Sequence, residues 1–253
     1  MALQSVDYDH RQHSVYAKAR ALDPDMLSQW MDVFAGFLAA RRPLPILDLG
    51  SGTGRFTPAL AERFGGPVYG VEPSDNMRHV AEGQPHGEAV RYLAGHAAAI
   101  PLADHAVEAV LMFLSFHHFP DRAAAAREIA RVLRPGGRVL LRGVFSDRQP
   151  GEWWNPFFPR LDEIGAQMFP TLPDVTRVFA EVGLRPLDLV EVEERYAASE
   201  AEAVERLKLK GISTFEHLTE REITEGFAQL DAALAAGRLR IPLTGRSDLL
   251  VLG

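Results

Sequence analysis

Cysteine is absent from the sequence, so no disulfide framework, thiolate nucleophile or cysteine-ligated zinc can be built from it. Long apolar runs are missing as well. No stretch reaches the roughly 18 apolar residues of a membrane span, and Met1 to Arg20 is polar and charged, without the apolar run of a signal peptide. Lysine and arginine form no cluster and the formal net charge is −7, which makes a long polyanion such as a nucleic acid a poor default partner. The nine histidines show no metal-ligand spacing; His10 and His13, three apart, fall on a polar segment, and no metal is expected. These absences leave the expectation of a soluble cytoplasmic protein with neither a membrane nor a nucleic acid as its partner.

The 253 residues suffice for one sizeable α/β domain with a buried core, and the 47% apolar content suits a globular chain rather than a disordered one. Residues 24–40 read as an amphipathic helix. A strand from Pro45 to Leu49 runs into a glycine cluster, a helix over 53–64 stops at Gly65-Gly66, and a second strand follows through Val68 to Val71. A helix is expected near Pro73, a residue suited to a first helical turn, then a strand over Ala89 to Leu93. Val107 to Phe113 is a continuous apolar run broken only by Glu108. A helix over 121–133 ends at Pro135-Gly136-Gly137, and Arg138 to Val144 makes a fifth, nearly apolar strand. Strands of this kind alternating with helices imply a parallel sheet covered on both faces.

After residue 144 the texture changes. Residues 146–175 hold five prolines, two tryptophans and three phenylalanines, which reads as a lid or insertion. A helix (173–182), a strand (184–194), two helices (199–210 and 219–236) and a last strand from Asp248 to Leu252 complete a single-domain reading. Within it, 1–40 is an N-terminal helical lid, 45–144 a cofactor-binding core, and 145–253 the acceptor side.

The strongest signal is Ile46-Leu47-Asp48-Leu49-Gly50-Ser51-Gly52-Thr53-Gly54, a buried strand entering a loop with glycine at every second position. Glycine lets the backbone turn sharply and approach a ligand without a Cβ in the way, and a following helix N-terminus offers free N–H groups. Glu72 stands 24 residues after Asp48 at the end of the second strand, where a carboxylate can accept both hydroxyls of a ribose. A nicotinamide dinucleotide loop prefers G-x-G-x-x-G, but here Arg55 holds the last position and Gly54 comes one residue early.

The G-x-G-x-G form preceded by Asp48 resembles the loop of the class I, Rossmann-like S-adenosylmethionine-dependent methyltransferases of small-molecule type. Val71-Glu72-Pro73-Ser74-Asp75-Asn76-Met77 is similar to that family's second segment, in which the acid binds ribose and a later methionine packs on adenine; ordinary core packing is the competing role for Met77. Gly95-His96-Ala97 falls where the family has Gly-Asp-Ala, so His96 replaces an adenine-binding acid; a neutral imidazole can still accept one hydrogen bond. Arg127 to Gly137 resembles the family's structural helix and turn before strand five. The resemblance covers about residues 46–143. It implies a doubly wound, mostly parallel seven-stranded sheet with a late antiparallel strand, and S-adenosylmethionine held by Asp48, Gly50, Ser51, Gly52, Thr53, Gly54, Glu72, Pro73, Met77, His96, Ala97, Leu114 and Ser115. It also implies an N-terminal lid contributing Tyr8, Tyr16 and Arg20, of which Tyr16 and Arg20 would meet the cofactor; a solvated surface helix is the competing reading.

The resemblance implies that the residues after strand four, Leu114-Ser115-Phe116-His117-His118-Phe119, lie beside the transferred methyl. His117 and His118 are the candidate general bases, because neutral imidazole titrates near pH 7; a framework role is the competing reading. No Asn-Pro-Pro-Tyr-like sequence follows strand four, which disfavours amide or adenine methylation, and no carboxylate there can hold magnesium. Trp153, Trp154, Phe157 and Phe158 either roof an apolar small-molecule acceptor or pack within their own layer. Three rival functions share these features: a nicotinamide-dependent oxidoreductase, a non-methylating enzyme on the same fold that binds S-adenosylmethionine, and a non-catalytic binding module.

Overall fold

The computed structural model describes residues 23–148 and 151–253. Seven strands, β1 (Leu44–Leu49), β2 (Gly65–Glu72), β3 (Val90–Ala94), β4 (Val107–Phe113), β5 (Leu133–Gly143), β6 (Pro186–Arg195) and β7 (Thr244–Leu252), form one sheet in the order β3-β2-β1-β4-β5-β7-β6. β1 to β5 are mutually parallel, and β7 runs antiparallel between β5 and β6. Strand order reverses between β1 and β4. The crevice beyond the carboxyl ends of these two strands is where an open α/β sheet takes its ligand.

The alternation of side chains across a pleated strand explains why the strands read as unbroken apolar runs. Leu47, Leu49, Val110, Met112, Leu141, Leu250 and Leu252 enter one apolar layer with Ile129, Val132 and Phe179. Their strand neighbours Ile46, Leu111, Leu140, Leu249 and Val251 enter the opposite layer with Trp30, Phe34 and Phe64. Of the helices flanking the sheet, α1 (Pro24–Phe37) starts where the Asp23 side chain accepts the Met26 N–H, with proline in its first turn, and buries Trp30 and Phe34. The others are α2 (Thr57–Phe64), α3 (Asp75–Glu82), α4 (Arg122–Val132) and α6 (Leu172–Ala180). On α4, the Glu128 carboxylate accepts the Ile100 N–H while Arg131 donates to the carbonyls of Ile100 and Leu102, so this helix clamps the Ile100-Pro101-Leu102 segment.

Two local expectations are corrected. The first helix of the core begins at Thr57, not at residue 53, because Gly54 sits at φ +76, a left-handed conformation that a right-handed helix excludes. Pro73 precedes α3 instead of starting it: Ser74 is the cap, its side chain accepting the Met77 N–H.

The segment after β5 is largely helical. A 3₁₀ turn (Asn155–Phe157), α5 (Arg160–Met168), α7 (Glu200–Lys208), a second turn (Ser213–His217) and α8 (Glu220–Ala235) share a third apolar cluster of Phe158, Leu161, Ile164, Leu207, Phe215 and Leu230. This helical layer has its own core and is attached to the sheet through β6 and β7. No helix among the described residues is long and apolar enough to cross a membrane.

Candidate active site

The three motif glycines all adopt positive φ: +74 at Gly50, +56 at Gly52 and +76 at Gly54. This alternation is the physical content of the G-x-G-x-G spacing, since only glycine adopts such angles without strain. A Cβ at Gly50 would lie 2.6 Å from the Ser115 Cβ and one at Gly54 2.3 Å from the Tyr92 hydroxyl, whereas one at Gly52 would meet nothing within 4 Å. Two of the glycines therefore permit close packing and the third leaves open space. The Gly50 and Ser51 N–H groups both donate to the Val71 carbonyl, which binds the loop to the end of β2.

Glu72 is buried and fixed from two sides. Its Oε2 accepts the Gly52 N–H and its Oε1 accepts the Ser74 N–H, each at 2.9 Å. It lines a cavity of about 370 Å³ together with Gly50, Gly52, Pro73, Met77, His96 and Ala97. Leu114 and Ser115 close the cavity, the Ser115 hydroxyl donating to the Leu49 carbonyl at 2.7 Å. His96 is exposed at the rim and Ala97 is buried. An open glycine, an oriented buried carboxylate and an apolar floor at Met77 suit a nucleoside-bearing ligand of this size.

Asp48, Ser51, Thr53 and Gly54 are buried and stand outside the lining of this cavity. Asp48 accepts the Thr57 hydroxyl at 2.7 Å, which ties β1 to the start of α2. Burial pushes its carboxyl up to about 6, against the Thr57 hydrogen bond and the charge of Arg55. Tyr16 and Arg20, like Tyr8, lie outside the described residues.

A second cavity, about 460 Å³, opens on the other side of the β4 end. Phe113, Leu114 and His118 line both cavities and form the partition between them. Leu114 holds φ +58, uncommon for a residue with a side chain, and its N–H donates to the Arg142 carbonyl at 2.9 Å. His117 lines only the second cavity. Its ring is 3.9 Å from that of His118 and 4.9 Å, edge-on, from Phe169. Trp153 and Trp154 also line this cavity, but Phe158 does not: it is buried against Phe215 and Phe227 in the helical layer. The two tryptophans thus meet both the cavity and the helical core, whereas Phe157 and Phe158 belong to the core alone.

Several lining residues are not evident from sequence. Five arginines, Arg55, Arg142, Arg195, Arg206 and Arg246, border the second cavity. Arg55 and Arg142 stand over the Phe113 ring at 5.2 and 5.4 Å. Arg142 is paired with the buried Glu194 at 2.9 Å, and Glu194 also accepts the Trp30 indole N–H and the Ser247 hydroxyl. Burial opposes the charge on Glu194, but Arg142 and these hydrogen bonds together hold its carboxyl below the usual range. The signal in the sequence was the charge at the carboxyl end of the otherwise apolar run Val139-Leu140-Leu141-Arg142.

Residues 47–141 match the family described as a methyltransferase domain. An uncharacterised methyltransferase of Mycobacterium tuberculosis is 47% identical over 117 residues, which cover 46% of this chain and 44% of that protein; the chain thus matches somewhat less than half the length of this relative. An uncharacterised methyltransferase of Geobacillus kaustophilus is 32% identical over 155 residues, covering 58% of this chain and 68% of its own length. The crystal structure of a protein from Anabaena variabilis, described as a methyltransferase from an antibiotic biosynthesis pathway, superposes with a TM-score of 0.75 at 24% identity, covering 92% of this chain and 98% of that one. With the sheet order, the glycine loop and the buried Glu72 carboxylate already in place, the chain belongs to the class I S-adenosylmethionine-dependent methyltransferases.

Proposed function

We propose that the protein transfers a methyl group from S-adenosylmethionine to a small-molecule acceptor held in the second cavity. The observation that carries this reading is the pair of cavities meeting at one partition, Phe113, Leu114 and His118, at the carboxyl end of β4. When bound, S-adenosylmethionine supplies an electrophilic methyl group on a sulfonium, and in-line displacement leaves the electron pair of the broken bond on sulfur. The ribose hydroxyls are assigned to Glu72, whose two carboxylate oxygens are pre-aimed by the Gly52 and Ser74 N–H groups. Adenine is assigned to Met77 and Ala97, with the exposed His96 at the rim, and the methionine end to the open side of Gly52.

The task left to the protein is approach and exclusion of water. Leu114 is held over the partition by its bond to the Arg142 carbonyl, and Trp153 and Trp154 cover the acceptor from the helical layer. His118, with a face on each cavity, is the base assigned to an acceptor that must lose a proton, and His117 steadies its ring. The helical layer acts as a lid, since an enclosed acceptor site must open for exchange.

The test is calorimetry with S-adenosylhomocysteine and NAD, followed by a radiolabelled methyl-transfer assay over fractionated small metabolites, RNA and protein. Micromolar S-adenosylhomocysteine binding without NAD binding, and label in the small-molecule fraction, is the expected result. Tight NAD binding alone would overturn the cofactor half, and label only in RNA or protein the acceptor half.

A further inference from the structure

The second cavity is rich in arginine. Its five arginines face only three lining carboxylates, Glu152, Asp162 and Glu194, although the whole chain carries a net charge of −7. Arg195, Arg206 and Arg246 are paired with Asp23, Glu202 and Glu191, all outside the lining. Arg142 differs from these three because it is 12% exposed and its partner Glu194 is buried beside it.

Its hydrogen bonds are unevenly distributed. Nη2 alone donates to Glu194 and to Ser247, Nε is buried without a partner, and Nη1 makes no hydrogen bond among the described residues. A guanidinium has five N–H donors and loses none of them at neutral pH. Leaving such donors unmatched in a nearly buried site is costly. The network Trp30–Glu194–Ser247 fixes Arg142 in place by one nitrogen and leaves the other terminal nitrogen for whatever fills the cavity.

The position matters as much as the valence. Arg142 is the register partner of Phe113, so it stands one strand spacing from the partition between the cavities. Unused guanidinium donors there favour an acceptor that brings a charged hydrogen-bond acceptor to them. One terminal nitrogen matches a carboxylate better than a phosphate, whose larger charge and three oxygens demand more donors than this site has spare.

From these observations, and resting on the methyltransferase reading above, we propose that the acceptor is a small carboxylic acid whose carboxylate is held by Arg142. Arg142 is then the specificity-determining residue of the acceptor site, and Glu194 the buried countercharge with which an acceptor carboxylate shares it. The sequence places only Arg148 and Arg160 near the Trp153–Phe158 segment. The relevant arginines come from other strands and helices.

The experiment measures binding of two isosteric pairs, benzoate against benzamide and hexanoate against hexanamide, to the protein saturated with S-adenosylhomocysteine. At least one acid should bind roughly tenfold tighter than its amide, the difference expected of a charged hydrogen bond. Arg142→Lys keeps a cation beside Glu194 but cannot serve both groups. It should abolish that preference while leaving S-adenosylhomocysteine affinity within about twofold. Should this variant not fold, Glu194→Gln provides the opposite sign: with its competitor neutralised, Arg142 should bind the acid more tightly than in the wild type. Equal binding of acids and amides to the wild type, an unchanged preference in Arg142→Lys, or weaker acid binding in Glu194→Gln would each overturn the proposal. Failure of the wild type to bind S-adenosylhomocysteine would instead remove the reading on which it rests.

Discussion

The two cavities that meet at Leu114 are built by opposite strategies. The cavity on the glycine-loop side takes its lining from strand ends and turns between residues 49 and 121, and its one buried carboxylate is that of Glu72. The cavity on the helical side draws residues from Arg55 to Ser247, across four strands, two helices and the turns and loops between them, and is rich in paired arginines. A site for an invariant ligand can be made from backbone geometry, which tolerates almost no change at a few glycines. A site for a variable ligand is made from side chains at scattered positions, where substitution alters specificity and leaves the sheet intact.

The comparison predicts that damage on the first side is global and damage on the second is selective. Gly50→Ala should have the largest effect, because it forces a Cβ to within 2.6 Å of the Ser115 Cβ at a φ of +74. A loss of roughly 3 to 4 kcal/mol is expected from left-handed strain plus overpacking, measured by urea unfolding. An unfolding midpoint equal to that of the wild type would show the loop to be more pliant than its geometry implies.

Asp48 sharpens the comparison through pH. Its carboxyl titrates at about 6 in the fold against an ordinary value of 3.8. The folded state therefore binds the extra proton, and the stability it confers, full below about pH 4, is lost as pH rises through 6. The difference in stability between the wild type and Asp48→Asn should change across this window by on the order of 2 to 3 kcal/mol, the wild type falling behind as pH rises. A pH-independent difference would mean that Asp48 stays ionised.

Next in size comes Glu72→Gln, expected to weaken S-adenosylhomocysteine binding by about 2 kcal/mol through loss of a charged acceptor, read by calorimetry. Unchanged affinity would put the ribose elsewhere. Acceptor-side changes should be milder and confined to acceptor kinetics. Trp153→Ala or Trp154→Ala should reduce kcat/KM for the acceptor by about tenfold and leave cofactor affinity alone. Amide exchange in residues 151–169 should also be faster than in β1 and β4. Equal protection would make the helical layer a fixed wall.

His96 offers the smallest effect. Its side chain is exposed at the rim, while Ala97 is buried in the lining. His96→Asp should change S-adenosylhomocysteine affinity by less than about 0.5 kcal/mol, as at most surface positions. A gain of tenfold would mean that the acid of the resembled pattern can still reach adenine here.

What the sequence determined by itself was local. Val107 to Phe113 is the observed β4 to the residue, because a strand buried on both faces has to be apolar throughout. Glycines at every second position specified the loop, since three left-handed residues in alternation admit nothing else, and Glu72 followed from its place at the end of the next strand. Asp48 shows where local reading stopped: its position in the motif suggested a ligand contact, yet its side chain turns inward to Thr57. Only the tertiary structure decided that, and only it brought Arg55, Arg142, Glu194 and Ser247 to one cavity wall across as many as 192 positions. Their spacing in the chain carries no period, because it is set by the crossovers that place β7 between β5 and β6, beside the strand that bears Arg142. Backbone conformation leaves its mark within a few residues of sequence, whereas a side-chain site assembled from distant strands leaves no mark until the sheet order is known.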